Sequence, residues 1–201
     1  RAIAILLAQR GASVIINYES NKENAQEVLD ECDKLSQKNS IIQANISEED
    51  QVKKMFSEIK AKYSQIDVLI NNAGIFEEKD STTNIPVFEK IIKINFIGQV
   101  IITKYALELM TEGKIINLSS VHGRIGSGRP GATAYSASKA ALNSYTKILA
   151  KDLAPKILVN GIAPGKTKTA MWEGTTEEEE RELAKTQLIN RFITPEEIAE
   201  T

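Results

Sequence analysis

Short apolar runs alternate with longer helical patterns along the chain, and this alternation limits the folds that are open to it. In five runs of five or six residues at least half of the residues are apolar, and turn-forming residues bound each run. These runs are residues 13–17, 40–45, 67–71, 114–118 and 157–162. A strand that is covered by helices on both faces has this composition. The pattern predicts a three-layer α/β fold with a doubly wound, Rossmann-like parallel sheet.

The order of the elements predicts one domain over residues 1–201, truncated at both ends. The chain opens on a helical pattern with no strand before it, and a new helical pattern begins at Pro195. In doubly wound sheets the first strand is central, and the turn after it binds the cofactor pyrophosphate. We therefore expect the first strand, its Gly-rich turn and the last strand to lie outside this sequence. Such a piece need not fold or bind a cofactor alone.

The composition of the chain argues against nucleic-acid-binding, membrane-spanning, disulfide-bonded and metal-binding proteins. Charged residues make up 26% of the chain and the net charge is −2, so no positive field attracts nucleic acid. The apolar runs are too short to cross a bilayer. Cys32 is the only cysteine and His122 the only histidine, which predicts neither a disulfide nor a metal site. We expect a cytoplasmic protein with no nucleic-acid or membrane partner.

The first motif with chemical content is Tyr135-Ser-Ala-Ser-Lys139. Four residues apart on a helix, the two side chains lie on one face. An ammonium group beside a phenol favours the phenolate, so we expect Lys139 to lower the pKa of Tyr135 from its usual value of about 10. Such a phenol can exchange a proton with a substrate oxygen while hydride moves at the adjacent carbon. A second match to this spacing, Tyr18 and Lys22, has no serine-bearing strand end before it and is given no catalytic role.

Ser120 stands before Tyr135 in sequence, at the end of the fourth predicted strand. The carboxyl ends of parallel strands line the ligand crevice of a doubly wound sheet. A serine hydroxyl there can donate to a carbonyl oxygen and stabilise the negative charge that develops on it. Of the two neighbouring serines we assign Ser120 to the site, and we expect Ser119 to satisfy backbone groups at the strand end. His122 is expected to line the substrate cleft.

Three further motifs accompany these residues: Asn71-Asn-Ala-Gly74 after a strand, Asn95 within a long helical segment, and Pro164-Gly165 after the last strand. All five occur in the order and at the spacing of the short-chain dehydrogenases/reductases, and independent matches of this kind rarely arise together by chance. The chain is identified as a member of that family, and the resemblance covers its whole length.

The resemblance implies a catalytic tetrad. In such a tetrad Tyr135 is the general acid/base, and Lys139 lowers its pKa and binds the nicotinamide ribose. Ser120 polarises the substrate carbonyl. Asn95 holds a water molecule that relays protons through Lys139; the alternative for Asn95 is a polar residue that satisfies helix backbone in a kinked turn.

The resemblance also implies where a nicotinamide cofactor binds. Besides Tyr135 and Lys139, the residues that it assigns to the cofactor are Tyr18, Ser20, Asn45, Ile46, Asn72, Ala73, Gly74, Pro164, Gly165, Thr167 and Thr169. Residues 72–74 are expected near the adenosine ribose, residues 45–46 beside the adenine, and residues 164–169 against the nicotinamide. Asn71 is expected to brace the sheet instead.

Tyr18 and Ser20 bear on the choice between NADP and NAD. Folds that prefer NAD place a carboxylate on the ribose 2′-hydroxyl at the end of the second strand. The chain has Tyr18 at that position, so no carboxylate there repels a 2′-phosphate. This indicates NADP(H), and the adjacent Glu19 keeps NAD as an alternative.

Within the family the chain most resembles the 3-oxoacyl-acyl-carrier-protein reductases of fatty acid biosynthesis. These enzymes reduce a 3-keto thioester to the 3-hydroxy form. The resemblance lies in Asn17-Tyr18, in the Asn-Asn-Ala-Gly and Ser-Ser-Val segments, and in Arg191-Phe192 followed by Pro195-Glu-Glu. Two alternatives stay open: a sugar or polyol dehydrogenase of the glucose type, and a non-catalytic relative that binds cofactor.

Two properties bear on the partners. The segment around Glu108 and Glu112 is poor in positive charge, which is unfavourable for docking an acidic carrier protein. The resemblance implies a homotetramer or dimer, built through two long helices at residues 96–110 and 134–153, that acts on a small-molecule or acyl-thioester substrate.

Overall fold

The computed structural model describes residues 1–124, 130–172 and 174–201. These residues form two compact units: a first unit of residues 1–44 and 164–201, and a second unit of residues 45–163. The helices and strands are α1 (Ala2–Gln9), β1 (Ile15–Tyr18), α2 (Lys22–Asp33), β2 (Ser40–Gln43), α3 (Glu49–Lys62), β3 (Val68–Asn71), α4 (Ile85–Ile92), a π-helix (Lys93–Gly98), α5 (Gln99–Ala106), β4 (Gly113–Leu118), α6 (Thr133–Leu153), β5 (Ile157–Ile162), α7 (Glu177–Lys185) and α8 (Pro195–Ala199).

The first unit contains a parallel pair of strands, β1 and β2, in which Tyr18 lies opposite Gln43. Its core is small: Ala8 of α1 packs against Val28 and Cys32 of α2. The α2 helix begins where the Asn21 side chain accepts a hydrogen bond from the amide of Asn24. Asparagine is a favoured residue at a helix start because its side-chain oxygen satisfies an amide that has no partner within the helix.

The second unit contains a parallel sheet with the strand order β3-β4-β5. In its register Asn71 lies opposite Asn117, and Leu118 lies opposite Ile162. The carboxyl ends of β3 and β4 are therefore neighbours. Any side chain or turn that follows these two strands lies at the same edge of the sheet.

A buried polar network crosses this sheet below its carboxyl edge. The Asn71 amide donates to Asn117 Oδ1 at 2.8 Å and to Thr103 Oγ1 of α5 at 3.0 Å. Asn117 in turn donates to Thr146 Oγ1 of α6 at 2.8 Å. Buried polar groups are stabilising when each finds a partner, and the network ties two strands to two helices. Asn71 braces the sheet, as predicted.

All five predicted strands are present, and β5 has the predicted bounds. The largest difference at a strand start is in β1, which begins two residues late. There the Ser13 hydroxyl donates to the carbonyl of Gln37, and the amide of Val14 donates to Asn39 Oδ1. The loop thus takes the amide of Val14, while the carbonyl of Val14 still accepts from the amide of Ser40 at 2.9 Å. Parallel strands joined by helices confirm the α/β, Rossmann-like fold. Within the described ranges, no helix combines the length and the apolar character needed to cross a bilayer.

Candidate active site

Tyr135 and Lys139 lie one turn apart near the start of α6. The Nζ atom of Lys139 is 5.8 Å from the centroid of the Tyr135 ring, so the two side chains share one helical face. The other sequence match does not have this geometry. Tyr18 is the last residue of β1 and Lys22 is the first residue of α2, so they belong to different elements.

The two serines after β4 have different partners. The side chain of Ser120 is hydrogen-bonded to the Tyr135 side chain, and its Oγ also accepts from the amide of His122 at 3.1 Å. The hydroxyl of Ser119 donates to the backbone carbonyl of Lys139 at 3.1 Å. Ser119 thus joins the strand end to α6, and Ser120 places a hydroxyl beside the phenol.

Burial sets the ionisation of both residues on α6. Burial raises the pKa of the Tyr135 phenol above its usual value, and the hydrogen bond with Ser120 lowers it in part. The expectation that Lys139 gives this phenol a lowered pKa is wrong for this structure. The Lys139 ammonium donates to the carbonyl of Leu118 at 2.7 Å and is 4% exposed. Desolvation of that charge lowers the pKa of Lys139 from 10.5 to about 8.

Asn95 lies in the π-helix and is fully buried. Its Oδ1 accepts from the amide of Ile75 at 2.7 Å, and its Nδ2 donates to the carbonyl of Ile75 at 2.8 Å. The same Nδ2 also donates to Ser138 Oγ of α6 at 3.3 Å. A π-helical turn is wider than an α-helical one and is often found at functional sites. Asn95 therefore ties the segment after β3 to α6, and the proton relay remains a prediction.

The turn at residues 72–74 is exposed at the carboxyl end of β3. A Cβ atom on Gly74 would lie 3.3 Å from Asn95 Oδ1 and 3.5 Å from Lys139 Nζ, so the turn packs directly on two of the predicted catalytic side chains. Gln99 holds the turn from below, because its Nε2 donates to the carbonyl of Ala73 at 2.8 Å. Dinucleotides bind outside the carboxyl ends of the strands in such sheets. An open turn beside a buried amine fits a nicotinamide cofactor, and the ribose that each of them would contact remains a prediction.

Asn45 and Ile46 follow β2. Asn45 Oδ1 accepts from both the amide and the hydroxyl of Ser47, at 2.9 and 2.7 Å. Ile46 packs on the π-helix, where a Cβ atom on Gly98 would lie 2.9 Å from Ile46 Cγ1. The absence of a side chain at residue 98 is what allows this close approach.

The remaining predicted cofactor residues lie in the first unit. These are Tyr18 and Ser20 after β1, and Pro164, Gly165, Thr167 and Thr169 after β5. The Gln187 side chain fixes the segment after β5, because its Oε1 accepts from the amide of Lys166 at 2.8 Å. The same Oε1 would lie only 2.2 Å from a Cβ atom on Gly165, so a side chain at residue 165 would displace it. Thr169 lines a cavity of about 170 Å³ with Trp172 and Phe192, whose rings meet edge to face at 5.0 Å.

Three further side chains lie near Tyr135. The sequence did not predict Phe76 or Asp80, and it assigned His122 only to the substrate cleft. The rings of Phe76 and His122 both meet the Tyr135 ring edge-on, at 5.6 and 5.9 Å. Asp80 is buried and accepts from the amides of Ala134 and Tyr135. Phe76 and Asp80 lie in a segment without periodicity, so only an indirect signal points to them. That signal is an alanine, Ala132, at the start of α6, where a capping side chain is usual.

The family model of the short chain dehydrogenases matches residues 1–180. The chain belongs to this family. Membership makes the protein an NAD(P)-dependent oxidoreductase of carbonyl and CH–OH groups, and it confirms the family identified from the sequence. Across the described part of the chain, no group of three or more His, Cys, Asp or Glu side chains is placed to hold a metal ion.

Relatives within the family are similar over most of the short-chain dehydrogenase chain. A 3-oxoacyl-acyl-carrier-protein reductase of Aquifex aeolicus is 38% identical over 99% of this chain and 82% of its own length. The reductase of the same name from Thermotoga maritima is 36% identical over 100% of this chain and 82% of its own length. A hydroxynaphthalene reductase-like protein of Metarhizium guizhouense is 36% identical over 86% of this chain and 66% of its own length.

Solved structures agree with this short-chain dehydrogenase fold. A doubly substituted variant of a short-chain dehydrogenase/reductase from Serratia marcescens matches with a TM-score of 0.90 at 27% identity, over 99% of this chain and 82% of that one. A dehydrogenase/reductase from Sinorhizobium meliloti matches with a TM-score of 0.89 at 30% identity, over 99% of this chain and 79% of that one.

Proposed function

We propose that the protein reduces a 3-oxoacyl thioester to the 3-hydroxyacyl thioester with NADPH, as in fatty acid biosynthesis, and that Asn95, Ser120, Tyr135 and Lys139 form its catalytic tetrad. The observation that carries the proposal is the hydrogen-bonded pair of Ser120 and Tyr135 at the carboxyl end of β4. Two hydroxyls that meet there can both donate to one carbonyl oxygen. The thioester substrate is supported by the two 3-oxoacyl reductases that match nearly all of this chain.

The ionisation of the site suits reduction of a carbonyl. When bound, the nicotinamide supplies hydride to the carbonyl carbon. Because burial raises the pKa of Tyr135, the phenol is protonated at neutral pH and holds the proton that the substrate oxygen needs. Ser120 donates to the same oxygen and stabilises the charge that develops on it. The pKa of Lys139, about 8, makes proton exchange at its amine possible near neutral pH.

The thioester proposal predicts a clear order among substrates. We expect the full-length protein to oxidise NADPH with acetoacetyl-CoA or the N-acetylcysteamine thioester. We expect kcat/KM for these thioesters to exceed that for glucose or a polyol with NADP⁺ by a factor of about 100 or more, because differential transition-state binding sets selectivity. The measurement is the nicotinamide absorbance across the panel. Turnover of sugars or polyols alone would contradict the thioester proposal and favour a sugar dehydrogenase.

The absence of a carboxylate at residue 18 predicts a preference for NADPH. We expect NADPH to bind about tenfold more tightly than NADH, which corresponds to ~1.4 kcal/mol. Tyr18→Asp should reverse the order, because a carboxylate accepts from a ribose 2′-hydroxyl and repels a 2′-phosphate. Tyr18→Phe is the matched control and should retain the preference for NADPH. Dissociation constants come from titration of nicotinamide fluorescence, and tighter NADH binding by the unaltered protein would overturn this assignment.

We further propose a homo-oligomer, a dimer or tetramer, built through the two long helical segments of the second unit. The proposal is supported by one exposed apolar side chain on each segment, Ile97 in the π-helix at 42% and Ile148 of α6 at 52%, which a contact between copies would cover. We also propose that the chain is a single domain and that the protein is cytoplasmic. The single domain is supported by the family match over residues 1–180. The cytoplasmic location is supported by Cys32, which is a buried free thiol.

A further inference from the structure

Asp80 is a charged side chain that is 1% exposed. It lies in the segment between β3 and α4, outside every motif that led to the family. One carboxylate oxygen accepts from the amide of Ala134 at 2.8 Å, and the other accepts from the amide of Tyr135 at 3.0 Å. Burial of a carboxylate is costly unless the charge is hydrogen-bonded. Here both oxygens are hydrogen-bonded to the same end of one helix.

These two amides belong to the first turn of α6. The first four amides of a helix have no carbonyl partner within the helix, and a neighbouring side chain usually satisfies one of them. The residue that precedes α6 is Ala132, which makes no side-chain hydrogen bond to the helix start. Asp80 supplies the cap from a distant part of the sequence. Its negative charge also lies at the positive end of the helix dipole.

The segment that carries Asp80 contacts Tyr135 in a second way. Phe76, four residues before Asp80, meets the Tyr135 ring edge-on at 5.6 Å. The segment is itself anchored at Ile75, whose amide and carbonyl are both hydrogen-bonded to the buried side chain of Asn95. Residues 75–80 therefore hold Tyr135 by its ring and by its backbone.

The two active-site residues of α6 depend on Asp80 to different degrees. Tyr135 is the third residue of α6, so it lies in the turn that Asp80 fixes. Lys139 lies one turn further on, where the carbonyl of Leu118 holds its amine at 2.7 Å and Ser119 holds its backbone carbonyl at 3.1 Å. Loss of the carboxylate should release the first turn and leave Lys139 in place.

We propose that Asp80 is a positioning residue of the reaction, which acts through the first turn of α6 to hold the Tyr135 phenol beside Ser120. The proposal rests on the proposed role of Tyr135 as the proton donor. A displacement of about 1 Å at a reacting group can cost a factor of about 100 in rate. Asp80 has no hydrogen bond to Lys139 or to the turn at residues 72–74, which we propose as cofactor contacts. We therefore expect Asp80 variants to lower kcat and to leave the affinity for the cofactor nearly unchanged.

The test compares Asp80→Ala and Asp80→Asn with Asn84→Ala in the full-length protein. Asn84 caps α4, where its side-chain oxygen accepts from the amide of Val87 at 3.5 Å, and its side-chain nitrogen donates to the carbonyl of Lys79 at 3.3 Å. Neither bond reaches α6. Asn84→Ala is thus a matched loss of a helix cap in the same segment. We expect kcat for an acetoacetyl thioester to fall about 30-fold to 100-fold in Asp80→Ala and about fivefold to tenfold in Asp80→Asn, which keeps one acceptor oxygen. The Kd of NADPH should stay within about twofold in both, and Asn84→Ala should keep its kcat.

A kcat within twofold of the unaltered protein in the folded Asp80 variants would overturn the proposal, as would an equal loss in Asn84→Ala. Where Asp80→Ala does not fold, Asp80→Asn decides by the same limit, since it preserves the volume of the side chain. Tyr135→Phe, assayed beside them, separates this proposal from the one on which it rests. Retained turnover in Tyr135→Phe refutes the role of the phenol itself, whereas lost turnover there with normal Asp80 variants refutes only the positioning role.

Discussion

Tyr135→Phe is expected to lower kcat by a factor of about 10³ or more, with the Kd of NADPH within about twofold of the unaltered protein. The change removes one oxygen, which is the group that donates a proton to the substrate and is hydrogen-bonded to Ser120. General acid catalysis by a positioned group contributes factors of about 10²–10⁴. The ring and its edge-on contacts with Phe76 and His122 remain. The packing of α6 should therefore be kept, and the loss should be chemical.

Single-turnover kinetics with bound NADPH measure this effect without interference from product release. Tyr145→Phe is the matched control, because Tyr145 lies on the same helix and its hydroxyl is hydrogen-bonded to Thr103 rather than to an active-site group. It should retain full turnover. Near-normal turnover in Tyr135→Phe would assign the proton to another donor and would leave the proposed mechanism without its central step.

Local sequence patterns were enough to predict the α/β fold. The run at residues 157–162 became β5 with the predicted bounds, because its apolar composition and the flanking turns agree. The spacing of Tyr135 and Lys139 needed only a helix to bring them to one face, and α6 supplies it. Each of these features depends on residues that are close in sequence, where the periods of helix and strand apply.

What sequence could not predict depends on residues that are far apart in the chain. Asp80 meets Tyr135 across 55 positions, and Asn95 meets Ile75 across 20. No period or motif encodes such contacts. The predicted direction of the shift in the pKa of Tyr135 was wrong for the same reason, because burial is a property of tertiary packing. The spacing alone shows an ammonium near a phenol and does not show that desolvation dominates.

Lys139→Met is expected to abolish most turnover and yet to make the protein more stable at neutral pH. The folded state holds a nearly buried ammonium whose pKa is lowered from 10.5 to about 8. That shift corresponds to a cost on the order of 3 kcal/mol while both states are protonated, since one pKa unit is about 1.4 kcal/mol. The variant loses the hydrogen bond to the carbonyl of Leu118, which offsets about 1–2 kcal/mol. A net gain of about 1–2 kcal/mol remains.

The pH dependence identifies the cause of this gain. Between pH 8 and about 10.5 the unfolded chain keeps the proton on Lys139 and the folded protein has released it, so the stability of the unaltered protein rises with pH. Lys139→Met lacks this rise, so the stability that it gains over the unaltered protein at pH 7 should be lost or reversed by pH 10. Urea unfolding at pH 7, 9 and 10 measures the difference. Lys147→Met, at an exposed position of the same helix, is the matched control for replacing a lysine by methionine and should not make the protein more stable at pH 7.

Although Lys139→Met should be more stable at pH 7, we expect it to be less active. Without the amine, proton exchange beside Tyr135 and the predicted contact with the nicotinamide ribose are both lost. We expect kcat to fall about 10³-fold and the Kd of NADPH to rise about tenfold. A residue that lowers the stability of the fold and is required for turnover is typical of the trade-off between stability and activity at functional sites. If Lys139→Met is less stable than the unaltered protein at pH 7, the ammonium stabilises the fold. Our inference that burial of this charge destabilises the folded state would then be wrong.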